Sequence, residues 1–230
     1  MLKGLTHWFS TKQGTSTAWS SEPELLAMDT EFSQFREGEL LSIGLVGVGP
    51  GIAPLEPGCL PSQSLDARHA FYGEVHDAVL WQRSSDFCRQ IVLPQFGRVP
   101  AARCSSLREL GGRLGDWLLA RHRPLMLCYD YKLDWRFFEQ ALVVAGRWDA
   151  LKPRLMALDI ADATTSEACR QAAAETMQAF AGGPMSQHHA LVDAMALAAQ
   201  WRQASEPVRL SLTAQFIPSQ DSEATRLARQ

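Results

Sequence analysis

The chain has 230 residues, 46% of them hydrophobic and 20% charged, with a formal net charge of −3. That length suits one domain of about 150–200 residues plus tails, and the apolar share excludes an intrinsically disordered chain. The slightly acidic balance excludes a global basic field that would coat long duplexes, though not local contacts with a few nucleotides.

The five cysteines (Cys59, Cys88, Cys104, Cys128, Cys169) are odd in number and widely spread, with no Cys-x-x-Cys pair. That spacing predicts neither a structural zinc site nor a disulfide framework, and it fits a reducing, cytoplasmic setting. Residues 1–24 lack a basic start followed by an apolar core, so no signal peptide is expected. No run approaches the roughly 18 apolar residues of a membrane helix.

Residues 1–23 are rich in Ser, Thr, Lys and Gln and read as an N-terminal extension. Leu25–Phe32 reads as a first strand, and a polar turn around Arg36-Glu37-Gly38-Glu39 leads to a second over Leu40–Val48, forming a hairpin. Gly49–Ala67 is rich in Gly and Pro and reads as a long loop. His69–Val75 resumes as a strand, with Ala78–Trp81 as a short continuation. The pattern then alternates. Ser84 or Ser85 caps a helix running to Leu93 before Pro94, and Ser105 or Ser106 caps a second with Leu107, Leu110, Leu114, Trp117 and Leu118 at helical spacing. Leu125–Tyr129 reads as a buried strand, Trp135–Ala145 as a helix and Arg154–Leu158 as a last short strand. Thr165–Phe180 and Gln187–Ala204 are predicted closing helices around the breaker Gly182-Gly183-Pro184, and residues 206–230 form a tail. The whole predicts an α/β domain over residues 24–205, with a mixed five-stranded sheet whose first three strands are antiparallel, flanked by helices.

Three acidic clusters stand out against this frame. Asp29 and Glu31, two apart on the first strand, project from one face. Two carboxylates held side by side on a core strand repel and lose solvation, an arrangement that a hard cation such as Mg²⁺ or Mn²⁺ relieves. Asp130 and Asp134 flank the exit of the strand at Leu125–Tyr129, with Asp134 on the first turn of the following helix. Asp193 lies among Leu191, Val192, Ala194, Met195 and Ala196, just after His188-His189. A carboxylate among such neighbours is paired, metal-bound or turned to solvent.

In this order the clusters resemble those of the DEDDh-type 3′–5′ exonucleases, the superfamily of RNase T and oligoribonuclease. Asp29-Thr30-Glu31 is similar to the family's Asp-x-Glu, Asp130 through Asp134 to its Asn-x-x-x-Asp, and His188 through Asp193 to its His-x-x-x-x-Asp. Asp-Thr-Glu-Phe followed by Leu41-Ser42-Ile43-Gly44-Leu45-Val46, together with Phe71-Tyr72-Gly73-Glu74 and Ser85-Asp86-Phe87, looks like the RNase T-like subgroup. Two departures are Asp130, where the family more often has Asn, and the long loop 49–67.

The resemblance implies an RNase H-like exonuclease fold over residues 25–204. It also implies two Mg²⁺ or Mn²⁺ ions held by Asp29, Glu31, Asp134 and Asp193, and hydrolysis of a terminal phosphodiester to release nucleoside 5′-monophosphates. The family spacing makes His188 the general base. On a helix starting at residue 187, however, His189 shares a face with Asp193 while His188 lies about 140° round. Thr30, Phe32 and Asp130 are candidate substrate contacts, with Phe32 either a base-stacking residue or a core strand residue. Six arginines between residues 98 and 123 (Arg98, Arg103, Arg108, Arg113, Arg121, Arg123) form either a path for the phosphate backbone or a solvated face. The implied partner is a single-stranded 3′ end, RNA ahead of DNA, acted on by a chain that dimerises as similar exonucleases do. The competing readings are a DNA exonuclease and a relative that binds nucleic acid without turnover.

Overall fold

The computed structural model describes residues 22–35, 38–49, 69–183 and 185–214. The predicted extension and the Gly/Pro loop therefore lie outside the described residues, apart from residues 22, 23 and 49. Six strands form one mixed sheet: β1 (Glu24–Phe32), β2 (Leu40–Gly47), β3 (Ala70–Val75), β4 (Arg103–Cys104), β5 (Leu125–Tyr129) and β6 (Leu155–Asp159). Their spatial order is β4-β3-β2-β1-β5-β6. The first three are antiparallel neighbours, whereas β5 runs parallel to β1, β6 parallel to β5, and β4 parallel to β3.

Helices cover both faces, which is why β2 is buried at every position and reads as a near-continuous apolar run. On one face, Leu26, Met28, Ile43 and Leu45 pack with Leu110, Leu114 and Leu118 of helix α2 (Leu107–Leu119) and Phe137, Phe138 and Leu142 of helix α3 (Lys132–Val144). On the other, Ala27, Val46, Met126 and Cys128 meet Leu191, Val192 and Met195 of helix α6 (Ala190–Gln203), which itself packs on α5 (Glu167–Phe180). Burying each leucine or phenylalanine contributes about 1.5–3 kcal/mol. The strand period of two then decides the outcome for β1. Its odd positions, Ala27, Asp29 and Glu31, take the α6 side, and Thr30 takes the α3 side.

Gly44 is what lets α6 come close. A Cβ there would sit 2.4 Å from the carbonyl oxygen of Ala190 and 2.6 Å from Leu191 Cα. Because Gly44 pairs with Asp29 across the β1–β2 ladder, this approach brings the start of α6 directly over the first acidic pair.

Several expectations need correction. The sheet has six strands rather than five, because Arg103–Cys104 adds an edge strand of two residues, too short for any periodicity to register. Ala78–Trp81 is not strand but the start of α1 (Ala78–Arg83), whose N-cap Asp77 accepts from the N–H groups of Val79 and Leu80. The helix predicted before Pro94 is a π-helical turn, Cys88–Val92, followed by a 3₁₀ turn, Leu93–Gln95. Helix α3 begins at Lys132, three residues earlier than expected, and Asp134 still falls in its first turn. Helix α4 is a single turn, Trp148–Leu151. Glu206–Ala214, taken as tail, forms helix α7, with Leu212 packed against the α6-side core. Among the described residues, no helix is long and apolar enough to cross a membrane.

Candidate active site

Three elements deliver the four acidic residues to one place. β1 supplies Asp29 and Glu31, the first turn of α3 supplies Asp134, and the first turn of α6 supplies Asp193. With His188 they line a cleft of about 330 Å³, within the range of small-ligand sites. Thr30 ties β1 to α3: its hydroxyl donates to Asp134 Oδ1 at 2.7 Å and its backbone N–H donates to the same oxygen at 3.2 Å. Thr30 is thus a holder of Asp134 more than a free substrate contact, and it is buried.

The two histidines separate by backbone conformation. Both were expected in the first turn of a helix, but α6 begins only at Ala190, with His189 as its N-cap. His188 adopts φ = 66°, the left-handed region that costs a non-glycine residue about 1–2 kcal/mol. That reversal turns His188 into the cleft, while His189 is driven into the core, where its ring stacks on Tyr72 at 4.4 Å. Two bonds hold the turn from the α6 side. The N–H of His188 donates to Asp193 Oδ2 at 3.0 Å, and the carbonyl of His189 accepts from Asp193 N. One ring nitrogen of His188 and one oxygen each of Glu31 and Asp193 lie within 4.8 Å of one another, an arrangement able to hold a metal ion.

The electrostatics show what the site needs. Burial, then the charges of Asp134, Asp193 and Glu31, hold Asp29 well above the usual carboxylate range. Burial chiefly, helped by Asp193 and Asp134, raises Glu31 to about 8. Burial raises Asp134 to about 7 against the opposing bond from Thr30, and Asp193 to about 7 against the bond from His188 N–H. One oxygen on each aspartate (Asp29 Oδ2, Asp134 Oδ2 and Asp193 Oδ1) is buried with no hydrogen-bond partner. Carboxylate oxygens that are buried, mutually repelling and unpartnered fit a hard divalent cation, which supplies both the missing charge and the missing partner. Burial lowers both histidines, His189 to about 4, so both are neutral at pH 7.

Compared with known proteins, the chain matches no family model and no curated relative.

The rest of the cleft carries four aromatic rings beside Gln34, Ser85 and Cys88. Phe32 does not stand free: its ring stacks on Phe137 of the core at 5.1 Å and on Tyr131 at 6.2 Å, with Phe35 edge-on at 5.6 Å. The exposed rings are Phe35 at 75%, Phe87 at 47% and Tyr131 at 46%, and all three line the cleft. Sequence reasoning passed over them as ligand contacts because each sits in a turn or irregular segment where no apolar period marks it. Asp130 lies exposed at the end of β5 and does not line the cleft, reaching the site only as a charge that further raises Asp29, Asp134 and Asp193. Among the described residues, no lysine or arginine lines the cleft either. The basic run has other uses: Arg113 pairs with Glu109, Arg121 lies over the Trp117 ring beside Glu24, and Arg123 donates to the carbonyl of Glu22.

Proposed function

We propose that this chain is a metal-dependent 3′–5′ exoribonuclease of the DEDDh type with an RNase H-like fold. The observation that carries the reading is the convergence of four raised carboxyls from three elements with a neutral histidine in one aromatic-walled cleft. Asp29, Glu31, Asp134 and Asp193 would hold two Mg²⁺ or Mn²⁺ ions. When bound, such ions neutralise charge on the reacting phosphate and on its leaving oxygen and acidify water. His188, neutral because burial depresses it, accepts the proton of the attacking water. The products are a nucleoside 5′-monophosphate and a chain shortened by one residue.

Phe35, Phe87 and Tyr131 offer stacking faces for the terminal bases, each worth about 1–3 kcal/mol. Among the described residues the cleft wall offers aromatic rings and metal-holding carboxyls, so base stacking and the metal ions carry binding, which suits single-stranded ends and short oligomers.

The test incubates the full chain with 5′-labelled single-stranded RNA and DNA in Mn²⁺, Mg²⁺ or EDTA, beside Asp193→Asn. The substitution keeps the acceptor for His188 N–H and removes the charge. Stepwise shortening of RNA from its 3′ end, only with metal and lost in the variant, is the expected result. Faster decay of DNA would assign the chain to DNA ends instead. Retained binding without cleavage of either would reduce it to a binding protein.

A further inference from the structure

The turn that presents His188 is also gripped from outside α6. Gln95 ends the 3₁₀ turn Leu93–Gln95, more than ninety residues from His188 in sequence, and its side chain is buried. Its amide nitrogen donates to the carbonyls of Gln187 at 3.0 Å and His188 at 3.3 Å, as well as to Ile91 at 3.1 Å. Its amide oxygen accepts from Ser186 N at 2.8 Å and Ser186 Oγ at 3.3 Å. One side chain thus engages three consecutive residues, 186–188, using the donors and acceptors on both ends of its amide.

The grip has a firm base. Two residues on, Gly97 N–H donates to Glu74 Oε1 at 2.7 Å, and Glu74, fully buried in β3, also accepts from Tyr72 OH at 2.9 Å. Upstream in the same segment, Phe87 meets the His188 ring edge-on at 4.9 Å. Residues 87–97 therefore touch His188 at its ring and at its carbonyl, while Asp193 holds its N–H. A left-handed histidine persists only where its surroundings over-determine it. Here they do so from two independent elements.

We propose that Gln95 is a positioning residue for the reaction: it holds the 186–188 turn so that His188 faces the cleft in proton-accepting geometry. The proposal rests on the reading of His188 as the base. Positioned acid–base groups contribute about 10²–10⁴-fold, and a displacement of about 1 Å forfeits about 10²-fold of rate.

The experiment is a double-mutant cycle of Gln95→Met with His188→Ala, followed by RNA hydrolysis in Mn²⁺ and by amide hydrogen exchange. Gln95→Met keeps the length and removes every hydrogen bond. In the parent chain it is expected to lower kcat by about 10–100-fold with KM within about twofold. In the His188→Ala background it should lower kcat by less than about twofold, because the base it positions is already gone. Exchange at Ser186 N–H should quicken by at least about tenfold. Equal losses in both backgrounds, or a rise in KM at unchanged kcat, would overturn the proposal, as would unchanged Ser186 exchange. Should the Met variant not fold, Gln95→Glu, isosteric but without the donors to Gln187 and His188, is carried through the same kinetic cycle; its carboxylate still accepts from Ser186 N–H, so only the kcat and KM criteria are read in it. If the parent chain hydrolyses nothing, the reading of His188 as base fails and the catalytic claim with it. Ser186 exchange then still decides whether Gln95 holds the turn.

Discussion

Replacing Thr30 by valine tests the electrostatic logic of the site at a single oxygen. The side chain is 4% exposed and its hydroxyl lies 2.7 Å from Asp134 Oδ1, so valine fills the same space and removes only that bond, leaving the backbone N–H at 3.2 Å. A hydrogen bond to an ionised carboxylate contributes about 1.5–3 kcal/mol, and at about 1.4 kcal/mol per decade its loss shifts an equilibrium by about 10–100-fold. The bond favours the charged form, so losing it pushes Asp134 further above the value of about 7 where burial already holds it. Near pH 7 the proton then competes with the cation. Mn²⁺ affinity measured by titration calorimetry at pH 7 is expected to fall by about 10–100-fold. The deficit should shrink as pH rises and Asp134 ionises in both proteins. Equal affinities at pH 7 would refute the reasoning. So would a deficit independent of pH, since it would mean that Thr30 acts through shape alone.

Three further outcomes are expected. In EDTA, Asp29, Glu31, Asp134 and Asp193 all have folded values raised above their unfolded ones, so the native state binds more protons and stability falls as pH rises from about 4 to about 8. His188 and His189, both lowered by burial, the latter to about 4, act in the opposite sense, their contributions being lost as pH falls from about 6.5, but two imidazoles are outnumbered by four carboxyls. Urea midpoints at pH 5, 6, 7 and 8 check the slope, and saturating Mn²⁺ should flatten it. Gly44→Ala places a methyl within 2.4 Å of the Ala190 carbonyl oxygen, forcing α6 off the sheet; a loss of about 1–3 kcal/mol in chemical denaturation is expected, together with weakened Mn²⁺ binding, because Asp193 rides on α6. Phe35→Ala removes an exposed ring, so its melting temperature should stay within a degree or two of the parent's while KM for short RNA rises about 5–100-fold through the lost stacking.

Much of this molecule was legible before any coordinates. The alternation of Asp29 and Glu31 on an apolar strand, the placing of Asp134 in the first turn of a helix and the Ser106 cap of α2 are local consequences of period and capping, and the folded chain keeps them. The hairpin of β1 and β2 followed from their short polar link, and the antiparallel start extends across the long loop to β3. What failed was also local, where the pattern was too short to carry information: a two-residue edge strand, a π-helical turn in place of an α-helix, and a helix start displaced to residue 190.

Only tertiary structure decided between the histidines. Helical spacing alone gave His189 the face of Asp193, but a helix that starts at Ala190 leaves both residues outside it, free to take different conformations. His188 reaches the cleft through a positive φ sustained by Asp193, Phe87 and Gln95, and these contacts span from 5 to more than 90 residues of sequence. The aromatic rings of the cleft are likewise brought together by folding, from a turn after β1, a segment after α1 and the exit of β5. Sequence sets which residues can share a face of one element, because that depends on backbone period alone. Which faces meet, and which strained turn can be afforded between them, depends on contacts distant in the chain.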